Sequence, residues 1–147
     1  MLKKIYLAGT VTATNYRDHV HNAWGNTFEL VDPIKRNDPE FANRGTSLDK
    51  VIAGEYFIDD DFASTIVTED KEMIANSDYV VAYIETPTFG TVMEVMFSYI
   101  LSKPVFVIAP LNIQKDVWLR IHTTMFFTEI DECFETISRF RKLIRVY

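Results

Sequence analysis

The sequence has a single cysteine, Cys133, so no disulfide can form within the chain. That usage fits a reducing cytoplasm. Carboxylates crowd it in Asp131-Glu132-Cys133-Phe134-Glu135 and disfavour a thiolate, which makes it an inert, half-buried residue rather than a nucleophile. No apolar run is long enough to span a bilayer. The run at the amino terminus stops at Gly9, too soon for the core of a secretory signal. A cytoplasmic protein, made by a cell or by a phage within its host, is the expectation. Also missing are a P-loop, a G-x-G-x-x-G, a G-x-S-x-G and any zinc spacing. There is no internal repeat and no low-complexity tract. Positive charge is in deficit, with 15 Lys and Arg against 21 Asp and Glu and a net charge of −6. Such a surface repels phosphate backbones, so a nucleic-acid polymer is not expected as a partner. One pocket can still take a small nucleoside or nucleotide.

What is present is ordinary globular usage. The 147 residues, 48% of them hydrophobic, are enough for one domain (1–147) around one core. Residues 4–8, apolar from Ile5 onward, predict a buried strand, ended by Gly9. Residues 15–24 predict a helix capped by Asn15, with Tyr16, Val20, Ala23 and Trp24 on one face and Gly25-Asn26 at its end. A second strand follows over 27–31, up to Asp32-Pro33. Residues 34–62 are polar and irregular, with at most a short helix over 48–53, and a loop that long is usually functional or mobile. A helix is expected over 66–75. Buried strands are expected over 78–84 and 104–109, a helix over 91–101 between them, a short strand near 125–127 and a closing amphipathic helix over 130–144.

Apolar strands alternating with helices predict a parallel sheet of about five strands covered on both faces, flavodoxin-like or Rossmann-like. Ligands of such sheets bind beyond the carboxyl ends of the strands. The loops of interest are therefore 9–16, 32–62, 85–90 and 110–118.

Glu94 is the lone charged residue in Thr91-Val92-Met93-Glu94-Val95-Met96-Phe97-Ser98-Tyr99-Ile100-Leu101. A helix that apolar is expected to be buried, and a buried carboxylate is costly unless it is paired or has a task. Two readings stand side by side. One is a functional acid at the sheet's ligand crevice. The other is a capping box, Thr91-x-x-Glu94, at a helix start that would keep the carboxylate ionised. Asp70 lies in the acid-rich stretch Glu69-Asp70-Lys71-Glu72 and by itself reads as a solvated helix start. Tyr6 sits in the first strand, where an aromatic is ordinarily core and its hydroxyl needs a partner. Asp78 reads as structural. Asp59-Asp60-Asp61 has no calcium-loop spacing, His19 and His21 point to different faces of their helix, and His122 is isolated. No metal site is expected.

In order along the chain, Lys4-Ile5-Tyr6-Leu7-Ala8-Gly9, Asp70-Lys71-Glu72-Met73-Ile74-Ala75-Asn76-Ser77-Asp78 and Gly90-Thr91-Val92-Met93-Glu94 resemble blocks of the nucleoside 2-deoxyribosyltransferases and their relatives, the deoxynucleoside 5′-monophosphate N-glycosidases. The resemblance implies a flavodoxin-like sheet, Glu94 as nucleophile, Asp70 as an acid near the base, and Tyr6 as the group that orients Glu94. It implies a covalent deoxyribosyl intermediate, as in retaining glycoside hydrolysis, with no cofactor. The partners implied are a deoxynucleoside or deoxynucleotide, a free nucleobase, and further copies of the chain in a homo-oligomer. Gly9, Thr10, Arg17, Thr88, Gly90 and Thr91 are the candidate substrate-binding residues. Thr88 departs from the pattern, standing where many of the transferases carry an aspartate. Hydrolysis of a 5′-monophosphate is the nearest alternative. Thr10, Thr12, Thr14 and Arg17 are then the phosphate donors, unless Arg17 simply faces solvent. A non-catalytic nucleotide-binding module and an NAD-cleaving enzyme are further alternatives. The terminal Tyr147 resembles a tyrosine that reaches the active site in some members.

Overall fold

The computed structural model describes residues 1–144. Five strands, β1 (Lys4–Gly9), β2 (Glu29–Val31), β3 (Tyr79–Tyr83), β4 (Val105–Ile108) and β5 (Met125–Phe127), form one all-parallel sheet in the order β2-β1-β3-β4-β5. That order is the flavodoxin-like one, whose direction of winding reverses between β1 and β3. The apolar runs mark the strands because both faces are covered. Alternate side chains supply two cores. Ile5, Leu7, Tyr79, Val81, Phe106 and Ile108 pack against α1 (Thr14–Trp24) and α8 (Ile130–Ile144). Tyr6, Ala8, Val80, Ala82, Val105 and Val107 pack against the opposite layer, which contains α4 (Asp60–Ala75) and α5 (Phe89–Ile100).

The crossover from β2 to β3 is more ordered than its polar composition predicts. Residues 34–62 are not irregular: α2 (Pro33–Asn43) and α3 (Leu48–Ile52) fill most of the first part, and α4 begins at Asp60 rather than near residue 66. The causes are local. Asp32 accepts the Ile34 N–H at 3.0 Å and Pro33 occupies the first helical position, where its missing N–H is not needed. The acidic run Asp59-Asp60-Asp61 is a helix start: Asp59 accepts from Phe62 N at 2.8 Å, and the other two lie in the first turn near the positive end of the helix. Phe41 and Phe62 then meet edge to face at 5.1 Å, closing α2 onto α4.

Other boundaries move by smaller steps. α1 starts at Thr14 with Ala13 in the cap position, so Asn15 is not the cap. At its other end Gly25 N–H bonds His21 O at 3.2 Å, and a Cβ there would stand 2.5 Å from the same oxygen, which explains the glycine. Asp78 ties β1 to the start of β3 by accepting Lys4 N at 2.8 Å. Cys133 is fully buried, not half-buried, and burial pushes its thiol pKa well up. α6 (Leu111–Gln114) and α7 (Val117–Ile121) lie between β4 and β5. Among the described residues no helix is long and apolar enough to cross a membrane.

Candidate active site

The site is built where β1, α4 and α5 meet beside the winding reversal. Tyr6 is fully buried on the face of β1 that α4 and α5 cover. Glu94 lies one residue before Val95, a core residue of the same face. Asp70 lies on α4, three residues before the buried Met73. Tyr6, Asp70 and Glu94 are thus brought together from three distant segments.

The capping reading of Glu94 is corrected. α5 starts at Phe89 with Thr88 in the cap position, which puts Glu94 in the second turn, beyond reach of a capping box and of most of the helix-end field. Thr88 Oγ1 donates instead to Thr91 Oγ1 at 2.9 Å. Nor is α5 apolar because it is buried all round. Phe89, Met93 and Ile100 stand on an exposed face.

Glu94 Oε2 and Tyr6 Oη are both buried without a hydrogen bond of ordinary geometry. They approach closely enough to affect each other's ionisation but fall short of a formed bond. Burial pushes the Glu94 pKa up to about 7. The Tyr6 hydroxyl pulls it back, the charge of Asp70 adds to the rise, and Arg17 opposes it. Burial likewise pushes Asp70 up to about 6, against the Asn37 amide and Arg17, with Glu69 adding to the rise. Burial raises Tyr6 strongly, so it stays a neutral hydroxyl. Two carboxyls that hold protons close to neutrality, next to a neutral hydroxyl donor, can supply one ionised nucleophile and one acid in the same place.

Asn37 is a site residue that sequence reasoning missed. It is buried on α2, and its Nδ2 donates to Asp70 Oδ1 at 3.2 Å. The signal available was Asp32-Pro33, a cap followed by a first-turn proline, which places Asn37 one turn further along the helix.

The remaining candidates divide. Gly90 and Thr91 fall in the first turn of α5 beside Thr88; Gly90 is exposed, with no atom within 4 Å of where its Cβ would be. Gly9 closes β1, where a Cβ would stand 3.3 Å from Tyr83 O. Thr10 Oγ1 lies 3.3 Å from Thr12 Oγ1 on the loop after β1. Arg17 does not face solvent. It is 4% exposed and committed to Asp32 and to two backbone carbonyls. Tyr147 lies outside the described residues. His19 and His21 do point apart, to Asp131 and Asp32 respectively. Among the described residues no cluster of His, Cys, Asp and Glu is arranged to hold a metal.

Two cavities lie elsewhere. One of about 670 Å³ is lined by Ile84, Val95, Met96, Trp118, Leu119 and His122. Val92, Val95 and Met96 face it, whereas Glu94 points roughly 100–160° away around the helix. The other, about 480 Å³, lies by Lys4, Glu29 and Glu72 at the amino ends of the strands. Neither includes Tyr6, Asp70 or Glu94 in its lining. The apolar cavity also has Lys115 and Asp116 in its lining, and the buried carboxyl pair with Tyr6 is kept as the candidate site.

No protein-family model and no curated protein matches the chain. Solved structures do resemble it. A 2-deoxyribosyltransferase from Bacillus psychrosaccharolyticus aligns over 88% of each chain at 20% identity, with a TM-score of 0.65. A 2-deoxyribosyltransferase from Leishmania mexicana aligns over 93% of this chain and 97% of its own at 15% identity, with a TM-score of 0.63. A conserved protein from Enterococcus faecalis aligns over 95% and 99% at 16% identity, with a TM-score of 0.60. The chain has the fold of these proteins.

Proposed function

We propose that this chain is an N-glycosidic-bond enzyme of the nucleoside 2-deoxyribosyltransferase type, moving 2-deoxyribose from one nucleobase to another with Glu94 as nucleophile. The observation that carries the proposal is the convergence of Tyr6, Asp70 and Glu94 at the winding reversal of the sheet, with both carboxyls pushed up by burial. The fold shared with two 2-deoxyribosyltransferases supports the same reading.

In the first step an oxygen of ionised Glu94 attacks C1′. The C1′–N bond breaks, its electron pair leaves with the base, and a proton from Asp70 neutralises that nitrogen. Tyr6, a neutral hydroxyl beside it, donates to the carboxylate once Glu94 ionises and so keeps it in line. In the second step the nitrogen of an incoming base attacks C1′, releases Glu94 and returns its proton to Asp70. Water in the same place gives hydrolysis. The sugar's missing 2′-hydroxyl eases the oxocarbenium-like transition state. No cofactor enters the scheme. Transfer from a nucleoside is favoured over a 5′-phosphate substrate held by Arg17, because that guanidinium is already committed within the protein.

The working species has Glu94 ionised and Asp70 protonated. Burial raises both carboxyls towards neutrality, and each influences the other, so the two protons belong to the pair and come off in two macroscopic steps. The profile of kcat/KM against pH is expected to be a bell with its maximum between those two steps.

We also propose that copies of the chain associate through the apolar surface of Phe89, Met93, Ile100, Val117, Trp118 and Ile121. Phe89 is 89% and Trp118 74% exposed in the single chain. Sedimentation of wild type and of Met93→Glu tests this. Monomers for both would refute it.

The deciding experiment is chromatography of deoxynucleosides, and separately their 5′-monophosphates, with and without adenine or cytosine as acceptor. A new deoxynucleoside is expected only with the acceptor, at least 10³-fold slower in Glu94→Ala. Denaturing mass spectrometry should find one deoxyribosyl group on Glu94. Failure to release base from any of these substrates would refute the reading.

A further inference from the structure

Arg17 is a cation taken almost wholly out of water, which is tolerable only where its hydrogen bonds and charge are answered. Its Nη1 donates to Leu7 O at 3.1 Å and Asp32 Oδ1 at 3.0 Å and its Nη2 to Gly9 O at 2.9 Å, while its Nε is buried without a partner. Asp32 in turn accepts Ile34 N on Oδ1 and lies 3.0 Å from His21 Nε2 on Oδ2. This knot joins the end of β1, the body of α1 and the first turn of α2. From α2, Asn37 reaches Asp70.

A purely structural knot would stop at packing. This one does not, because the charge of Arg17 favours the ionised forms of Tyr6, Asp70 and Glu94 alike. The ionisable groups around it are Tyr6 on β1, Tyr16 and His21 on α1, Asp32 after β2, Asp70 with its neighbour Glu69 on α4, and Glu94 on α5.

We propose that Arg17 is the positioning residue of this site: through Asp32 it sets the helix from which Asn37 holds Asp70, and its guanidinium behind the β1 carbonyls is the fixed countercharge of the carboxyl pair. The kinetic half of this proposal rests on the glycosidic reading above; the electrostatic half does not.

The test compares Arg17→Gln and Arg17→Lys with wild type in the full chain, each first shown to unfold cooperatively. Carboxyl carbons of Asp70 and Glu94 are titrated by NMR, and base release is followed against pH. In Arg17→Gln both titrations and the acid limb of the profile are expected to move up by about one pH unit, with kcat falling roughly tenfold and KM little changed. Arg17→Lys keeps the charge but loses the planar fork. Its titrations should stay near wild type while kcat falls. A folded Arg17→Gln with wild-type titrations overturns the proposal. Should Arg17→Gln not fold, Arg17→Lys decides: lowered kcat with near-wild-type titrations supports the proposal, and unchanged kcat or shifted titrations overturn it. If no deoxynucleoside is turned over at all, the titrations still settle the role of Arg17 while the reaction assignment fails.

Discussion

Asp32 and Glu94 are both carboxylates drawn out of water at the same end of one sheet, and the chain treats them in opposite ways. Asp32 is held by the Arg17 guanidinium at 3.0 Å, faces His21 at 3.0 Å and caps a helix through Ile34 N. Glu94 has a buried oxygen with no hydrogen bond, and burial leaves it reluctant to ionise below about 7. A charge fully supplied with donors is part of the framework. A charge left short of them is ready to exchange a proton or form a bond. One end of the fold thus holds one carboxylate finished by its pair with Arg17 and another left without a hydrogen bond on a buried oxygen.

The largest effect should come from breaking the finished pair. Asp32→Ala strands Arg17 without its carboxylate and is expected to cost about 3–5 kcal/mol, lowering Tm by about 10 °C or more. Calorimetry checks it, and a loss below about 1 kcal/mol would remove the contrast. Completing the other should do the reverse. Folded Glu94 keeps its proton up to about 7, against an ordinary value of 4.5. The folded state therefore binds more protons between those values, and its stability falls as pH rises through them. Glu94→Gln should accordingly stabilise the fold by about 2–3 kcal/mol at pH 8 and hardly at all at pH 4. Urea unfolding at the two pH values would show whether the gain is confined to the alkaline side. Asn37→Ala should cost about 1 kcal/mol and move the Asp70 titration further up from about 6, because the amide it loses favours the carboxylate. The smallest change is Thr88→Ala, at about 0.5 kcal/mol, since Thr88 bonds a side chain rather than an orphan backbone N–H. A thermal shift several times larger would restore Thr88 as a true cap.

How much of this was legible in the sequence follows from what each segment buries. β1, β3 and β4 were legible because strands covered on both faces are unbroken apolar runs. Glu94 was legible because it interrupts an otherwise apolar helix. α2 was not. It hides few side chains, carries Pro39 within it, and its clearest signal is the Asp32-Pro33 cap rather than any periodicity. The beginning of α4 was masked in the same way by three aspartates, which carry no apolar period. The cap of α5 was misplaced by three residues because Phe89 and Gly90 resemble loop. Arg17 was the hardest, since nothing in Tyr16-Arg17-Asp18 distinguishes a buried guanidinium from a solvated one. Only the position of Asp32, on another element, does.

β1 is flanked by β2 and β3, with Tyr6 in register with Val31 on one side and Val80 on the other. Parallel neighbours cannot be joined by a tight turn, so every contact that assembles Tyr6, Asn37, Asp70 and Glu94 closes a long stretch of chain. Nothing of the site exists while the chain is only locally structured. Folding should be slow beside a helical bundle of the same size. In a refolding experiment, activity should return with the last native packing rather than with the early helical signal.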